Sequence, residues 1–435
     1  MSLGLISIIL IIVLIILLGL GIPISFALGF LGIVGLALFL DISTLFQIAE
    51  IAADSGTSIL MLTLPLFVLM AEVVSSSGIG DDLYTAAHKW LSWLPGGLAI
   101  SSIATCAGFA AISGSSPATA ATVGLVSIPE MIKRGYSRYL AAGSVAAGGT
   151  LGILIPPSIA MIIYGIITEV SIGKLFIAGI IPGIILSLIF SLAIGITVKI
   201  RPELAPRIPG VVTWSERFSS LKHVWPFIVL AISVIGSIYA GIATPTESAA
   251  IGASLAIIIA CIYGKLKIST FHSGLKRAVS VSAMALFMVI GGNILGFFLT
   301  SMAIPQYVTE AIASLNVSRW YIMIIINLTL LFMGCLLDPT AIMVISLPIM
   351  FPIITALGFD PIWFGVVTTI NVEMGMITPP VGINLFVLKA SVPGISMGDI
   401  VRGALPFLFL LIICLALIMI FPSLATWLPG KMMGF

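Results

Sequence analysis

The chain has 435 residues, of which 60% are hydrophobic and 8% charged, with a formal net charge of +2 and a mean hydropathy of +1.29. This balance excludes an ordinary soluble domain, and no basic patch interleaved with aromatics points to a nucleic-acid partner. Apolar runs near or beyond 18 residues recur from end to end, so the expected class is a polytopic all-α membrane protein.

Residues 3–20 and 24–40 read as two spans joined by Gly21-Ile22-Pro23. The apolar start has no positively charged segment before it, which favours a first span over a cleaved signal peptide. A polar stretch with Asp41, Glu50 and Asp54 precedes a third span, Ser58 to Ser75. Trp93 to Met131 is too long for one span and is interrupted by Ser113-Gly114-Ser115-Ser116-Pro117. Ser-Pro fits a helix N-cap followed by the first helical position, so residues 93–131 are expected to form a re-entrant hairpin. A span broken at Pro156-Pro157 follows over 139–168, then one at 175–197. Residues 199–224 hold Lys199, Arg201, Arg207, Arg217 and Lys222, with Trp214 and Phe218, as suits an amphipathic connector at the membrane surface.

The second half repeats the plan. Spans near 225–242 and 249–264 flank Thr244-Pro245-Thr246-Glu247, and a third lies near 278–300. A second bent segment, 320–357, breaks at Gly334 to Thr340. A second broken span, 362–390, carries Pro379-Pro380, and a last span lies at 406–428. The four cysteines (106, 261, 335 and 414) sit in apolar runs without metal-ligand spacing and read as buried free thiols.

The two Pro-Pro pairs organise the rest. Adjacent prolines remove two backbone donors and push the preceding residue out of the α region, so each span must open at mid-membrane. Backbone opened there is tolerated only where protein, water or an ion satisfies it. Pro156-Pro157 precedes Pro379-Pro380 by 223 residues, and Ser116-Pro117 precedes Asp338-Pro339 by 222, a constant shift that argues for internal duplication into 1–198 and 225–435. If the bent segments return to their own side and about 11 spans cross, fifteen of the 18 Lys and Arg fall on one face, leaving Lys174, Arg319 and Lys431. That face is then cytoplasmic and the N-terminus periplasmic. The halves become inverted repeats, an arrangement whose interrupted helices mark the binding site of secondary transporters.

Leu64-Pro-Leu-Phe67, Gly114-Ser-Ser-Pro117, Leu151-Gly-Ile-Leu-Ile-Pro-Pro-Ser158, Leu175-Phe-Ile-Ala-Gly-Ile-Ile-Pro-Gly183, Thr244-Pro-Thr-Glu247 and Thr378-Pro-Pro380 carry a resemblance. Together they resemble the large membrane subunit (M subunit, DctM-like) of tripartite ATP-independent periplasmic (TRAP) transporters. The resemblance implies a sodium-driven importer of an organic acid, such as sialic acid or a C4-dicarboxylate, in the bacterial inner membrane, without ATP. It further implies a small four-helix Q subunit, a periplasmic substrate-binding P subunit, and an elevator motion of hairpins and broken helices. The Q subunit is absent from this sequence, as in the unfused arrangement.

Sodium is a hard cation that takes several oxygens, and a hairpin tip with an opened helix supplies carbonyls and hydroxyls. With two or more ions expected, the first candidate site combines Ser113, Gly114, Ser115 and Ser116 with Gly152, Ile155 and Pro156. The second combines Gly334, Asp338 and Thr340 with Gly375, Thr378 and Val381. The same Ser-Pro and Asp-Pro pairs also fit plain helix caps. Asp338 and Glu373 are the acidic groups nearest mid-membrane, where each costs several kcal/mol unless partnered. Their first-half equivalents, Ser116 and Thr150, are neutral, so the two sites are expected to differ in charge. Substrate is expected between the tips, at Ser116, Ser158, Thr340 and Asn384, with half-helix N-termini and sodium holding its carboxylate. Ser158 and Asn384 equally suit helix–helix hydrogen bonding. A stand-alone sodium/dicarboxylate symporter of the divalent-anion type is the alternative carrier. An intramembrane hydrolase using Asp338 and Glu373 is the alternative from another class, although no Ser/His arrangement accompanies them and His88, His223 and His272 fall in loops or at span edges.

Overall fold

The computed structural model describes residues 2–206, 212–264, 268–314 and 317–432, leaving aside the side chains of residues 79, 270 and 312–314. Arg207, Lys265 and Lys267, which entered the charge count above, lie outside the described residues. Every element among the described residues is helical. Among the described residues seven helices are long and apolar enough to cross a membrane: Ile59–Ser76, Ile172–Ile200, Trp214–Tyr239, Pro245–Ile262, Phe271–Ser301, Pro339–Ala356 and Met397–Ile420.

Helix starts follow a simple rule. The first N–H groups of a helix have no intrahelical partner, and hydrocarbon offers them no water. Ser115, Ser137, Ser158, Ser171, Thr213, Thr244, Ser318, Asp338, Asp360 and Ser396 each place a side-chain oxygen on such a group. Thr213 and Thr244 form capping boxes with Glu216 and Glu247.

At the two expected hairpin positions the chain forms helix–turn–helix pairs. The first has arms Gly97–Ser113 and Ser116–Lys133, the second Arg319–Gly334 and Pro339–Ala356. Both broken spans form too, as Arg138–Gly149 with Ile159–Thr168 and as Pro361–Met376 with Ile383–Ser391. The Pro156-Pro157 and Pro379-Pro380 bonds are cis.

Several boundaries differ from the sequence reading. The polar stretch before the third span is itself helical, Gln47–Thr57, and the amphipathic helix Ile79–Leu91 precedes hairpin 1. The C-terminal part of the expected surface connector is not separate from the next span: the Thr213 capping box starts a helix at Trp214 that continues to Tyr239. The last long span begins earlier, at Met397, because Ser396 and Asp399 cap it there, and Pro406 is carried inside the helix. Of the four cysteines, Cys261 is exposed. It lies on the outward face of its helix with Ile258 and Ile262.

The helices sort into two groups that each half of the chain supplies. Helices of residues 3–76 pack with those of 214–301, chiefly Ile24–Phe39 on Ile268–Ser301 and Thr63–Ser76 on Pro245–Ile262. Small residues let these pairs approach: a Cβ on Gly32 would stand 2.8 Å from Leu295 N. The second group holds both hairpins and both broken helices. There the halves interlock, Pro339–Ala356 packing on Ile159–Thr168 and Ser116–Lys133 on Ile383–Ser391. At the seam of Arg138–Gly149 with Met397–Ile420, a Cβ on Gly403 would meet Tyr139 O at 2.0 Å.

Burial also distinguishes the lipid-facing sides of helices from the interior. On Ile172–Ile200, the i, i+4 stripe Ile184, Leu188, Leu192, Ile196 and Ile200 is 54–73% exposed, which marks a lipid-facing side. Fully buried polar side chains gather instead in the hairpin and broken-helix group, among them Ser116, Thr119, Thr150, Ser158, Thr368, Glu373 and Asn384. That polar interior locates the site.

Candidate functional site

Each hairpin tip sits on the break of the broken helix of its own half. In the first unit Gly114 closes the first arm in the left-handed region (φ 59°), and its carbonyl accepts from Ile159 N at 3.2 Å, just past Pro157. A Cβ on Gly114 would lie 2.8 Å from Pro157 O, and one on Gly152 would lie 2.7 Å from Ser115 O. Only glycine permits this seating. The second unit repeats the bond: Cys335 O accepts from Val381 N at 3.3 Å, just past Pro380. Gly334 and Gly375 meet backbone to backbone, so that a Cβ on Gly375 would stand 2.3 Å from Gly334 Cα.

The first tip gathers oxygens. Ser113 Oγ and Thr119 Oγ1 are 2.7 Å apart, and both reach Ser115 O, at 3.5 and 2.8 Å. Such a cluster of hydroxyls and a carbonyl is what a hard cation takes, so the residues present fit sodium here. Thr119 was absent from the sequence-derived set, although its spacing of four from Ser115 puts it on the same face of the helix. Ile155, by contrast, directs its side chain toward Gly183. Pro156 is buried at the break, and Ser158 is a fully buried cap accepting from Met161 N at 3.2 Å.

The second tip is organised differently. Asp338 Oδ1 accepts from Thr340 N at 3.0 Å and Ala341 N at 3.2 Å, capping the second arm. Thr378 Oγ1 donates to Met374 O. No hydrogen bond among the described residues joins Asp338 or Thr340 to Thr378, so these oxygens are neighbours in the fold but not one bonded cluster.

The residue that joins the units is Glu373. Fully buried, its Oε2 lies 2.9 Å from the Ser116 hydroxyl at the first tip, and its Oε1 accepts from Ile153 N at the first break at 3.3 Å. The single Ser116 hydroxyl proton has a second acceptor in reach, Gly149 O at 2.9 Å, and Ser116 Oγ accepts from Asn384 Nδ2 at 2.8 Å. Asn384 Oδ1, buried, has no hydrogen-bond partner among the described residues. Two of the four expected substrate residues, Ser116 and Asn384, are thus in direct contact, whereas Ser158 caps a separate helix and Thr340 lies in the first turn of another, its N–H held by Asp338. Among the described residues Asp338 and Glu373 share no hydrogen-bond partner, which leaves the hydrolase reading without its carboxylate pair. Sequence pointed to Glu373 only by its charge at depth. Its partners lie 220 and 257 residues away.

A family model described as "Tripartite ATP-independent periplasmic transporter, DctM component" matches residues 11–424. The chain belongs to this family. It is 36% identical to the C4-dicarboxylate TRAP transporter large permease protein DctM of Vibrio cholerae, over 95% of each chain. It is 30% identical to that organism's sialic acid TRAP transporter large permease protein SiaM, over 95% of this chain and 96% of the other. The crystal structure of the Alcanivorax borkumensis YdaH transporter superposes with a TM-score of 0.63 at 14% identity over 90% of each chain, a likeness of fold alone. This TRAP permease is therefore a multi-pass membrane protein, and its family is one of transporter permeases, not enzymes.

Proposed function

We propose that the chain is the sodium-coupled large subunit of a TRAP importer in the bacterial cytoplasmic membrane, carrying an organic acid delivered by a periplasmic binding protein. The observation that carries this reading is the seating of both hairpin tips on both helix breaks, with Glu373 and Asn384 reaching across to Ser116. It makes one polar body of the two halves' interrupted elements, surrounded by helices with lipid-facing stripes. Such a body suits elevator motion, in which it moves as a unit against the outer helices.

Sodium would be held at the first unit by Ser113, Ser115 and Thr119, with Gly114, Ser116, Gly152 and Pro156 shaping the seat. At the second it would be held by Asp338, Thr340 and Thr378 with the carbonyls around Gly334, Gly375 and Val381. When bound, sodium supplies positive charge for a substrate carboxylate. The chain supplies none there itself, since no Lys or Arg lies at either tip or break. Asn384 and Ser116 then offer amide and hydroxyl groups, and the helix N-termini at Ser116, Ile159, Pro339 and Ile383 offer dipoles. The names of the relatives make a C4-dicarboxylate the first substrate to try and sialic acid the second. A small membrane subunit and a periplasmic binding protein complete the assembly. The basic face is the cytoplasmic one and the halves are inverted repeats.

The test is uptake into proteoliposomes that contain the chain with its small subunit. Labelled organic acids are supplied with and without an inward sodium gradient and with and without the binding protein. Uptake that needs both supports the tripartite sodium carrier. Sodium-driven uptake without the binding protein identifies a stand-alone symporter, and uptake indifferent to sodium removes the coupling.

A further inference from the structure

A cavity of about 720 Å³ opens far from the hairpin tips, where helix Ile79–Leu91, the loop before hairpin 1, the end of Ile172–Ile200 and the start of Trp214–Ala231 meet. Among the described residues His88, Arg134, Lys199 and Arg217 line it, against one acidic side chain, Glu216. That carboxylate is already committed: it accepts from Thr213 N at 2.8 Å and from the Thr213 hydroxyl at 2.9 Å. Arg134 donates from Nε to Glu130 at 2.7 Å.

Two of the other basic residues carry a buried nitrogen without a partner. Arg217 Nε is buried without a hydrogen-bond partner, and its guanidinium lies 4.8 Å from the centre of the Trp214 ring. His88 Nδ1 is also buried and without a partner. Burial, and then the Arg134 charge, hold this imidazole below its ordinary range. A buried donor left unmade costs about 1–3 kcal/mol, more at a charged group. With Arg134, Lys199 and Arg217 on its lining and the Glu216 carboxylate committed, the cavity suits an anion with several acceptor oxygens, as a phosphate has.

The rim says which kind. Trp93 and Trp214 are 69% and 65% exposed beside the cavity, with Phe218 exposed on the same helix as Trp214, in the manner of an interfacial aromatic belt. One turn and less from Lys199, the exposed Ile196 and Ile200 continue the lipid-facing stripe of their helix. A free anion has no use for that flank, whereas acyl chains do. We propose that this cavity binds the phosphate-bearing headgroup of an anionic phospholipid, with its chains laid along the Ile196–Ile200 side. The site pins helix Ile79–Leu91 and the start of Trp214–Ala231 to the bilayer surface. It does not depend on the transport reading.

Native mass spectrometry of the full chain in detergent, with added phosphatidylglycerol or phosphatidylcholine, tests the proposal. Phosphatidylglycerol is expected to be retained preferentially, and Lys199→Gln to cut its retention about fivefold, the effect of one basic residue near a headgroup. Lys199 is exposed at a helix end, so its loss leaves the fold intact. Arg217→Gln should weaken retention further and Arg217→Lys restore part of it. Lys174→Gln, at the other end of the long helix, should do nothing. Equal retention by wild type and the Lys199→Gln/Arg217→Gln double variant overturns the site. Displacement of the bound lipid by millimolar inorganic phosphate as effectively as by phosphatidylglycerol overturns the lipid assignment.

Discussion

The two tip-and-break units share a backbone device and differ in what their side chains do with it. In the first, Pro156, Pro157 and the tip residue Ser116 are buried, and the neutral tip is gripped by a carboxylate from the other half. In the second, Pro379, Pro380 and Leu336 are exposed, and the tip's own carboxylate is turned inward to cap its helix. The lesson concerns placement of charge. A carboxyl at depth needs partners, and here one finds them across the seam while the other finds them two and three residues along its own chain. The first unit is therefore locked by a long-range bond, and the second by a local one with a face left open.

This contrast can be broken at four depths. Gly375→Ala should have the largest effect, because the added carbon meets three Gly334 backbone atoms at 2.3–2.7 Å and neither side can yield. A loss of about 3 kcal/mol or more is expected from thermal unfolding in detergent. Gly19→Ala, with nothing within 4 Å, should be close to neutral. Glu373→Ala comes next: it strands Ile153 N in the interior, takes one of three partners from the Ser116 hydroxyl and should cost about 1–3 kcal/mol for the group left unmade. A double-mutant cycle with Ser116→Ala should return a coupling of about 1 kcal/mol or more; additivity would show that the bond across the seam carries no weight. Asp338→Ala removes a cap and should cost about 1 kcal/mol, with no coupling to Ser116. Asp338→Asn should be smallest in stability, since asparagine caps as well as aspartate. Its effect should appear instead in the sodium dependence of uptake, and an unchanged sodium dependence would remove Asp338 from the second ion site.

Much of this was legible in sequence because it is local. Pro-Pro pairs, Ser-Pro and Asp-Pro caps, and the constant shift between them determine both hairpins and both breaks from a few residues each. The helices Gln47–Thr57 and Ile79–Leu91 were harder, since their polar faces hide a helical period under a low apolar count. The start of the helix at Trp214 turned on one capping box, which reads in sequence like any polar loop. Least legible was the meeting of Glu373 with Ser116 and Asn384. Each residue has a sound local explanation on its own, and only the interlocking of two halves brings them together. The oxygen cluster at the first tip was half visible: Ser113 and Ser115 by motif, Thr119 only once the helix set its face.

The contact of Gly143 with Gly403 has a bearing on descent. If the halves arose by copying, their outward helices were free to drift apart in sequence, as lipid asks only for apolarity. At this seam each glycine is hemmed by the other copy's main chain, so a change in one is judged by the other. Under such a descent, divergence would fall on side chains such as Ser116 and Asp338, which can differ without disturbing the frame that holds them.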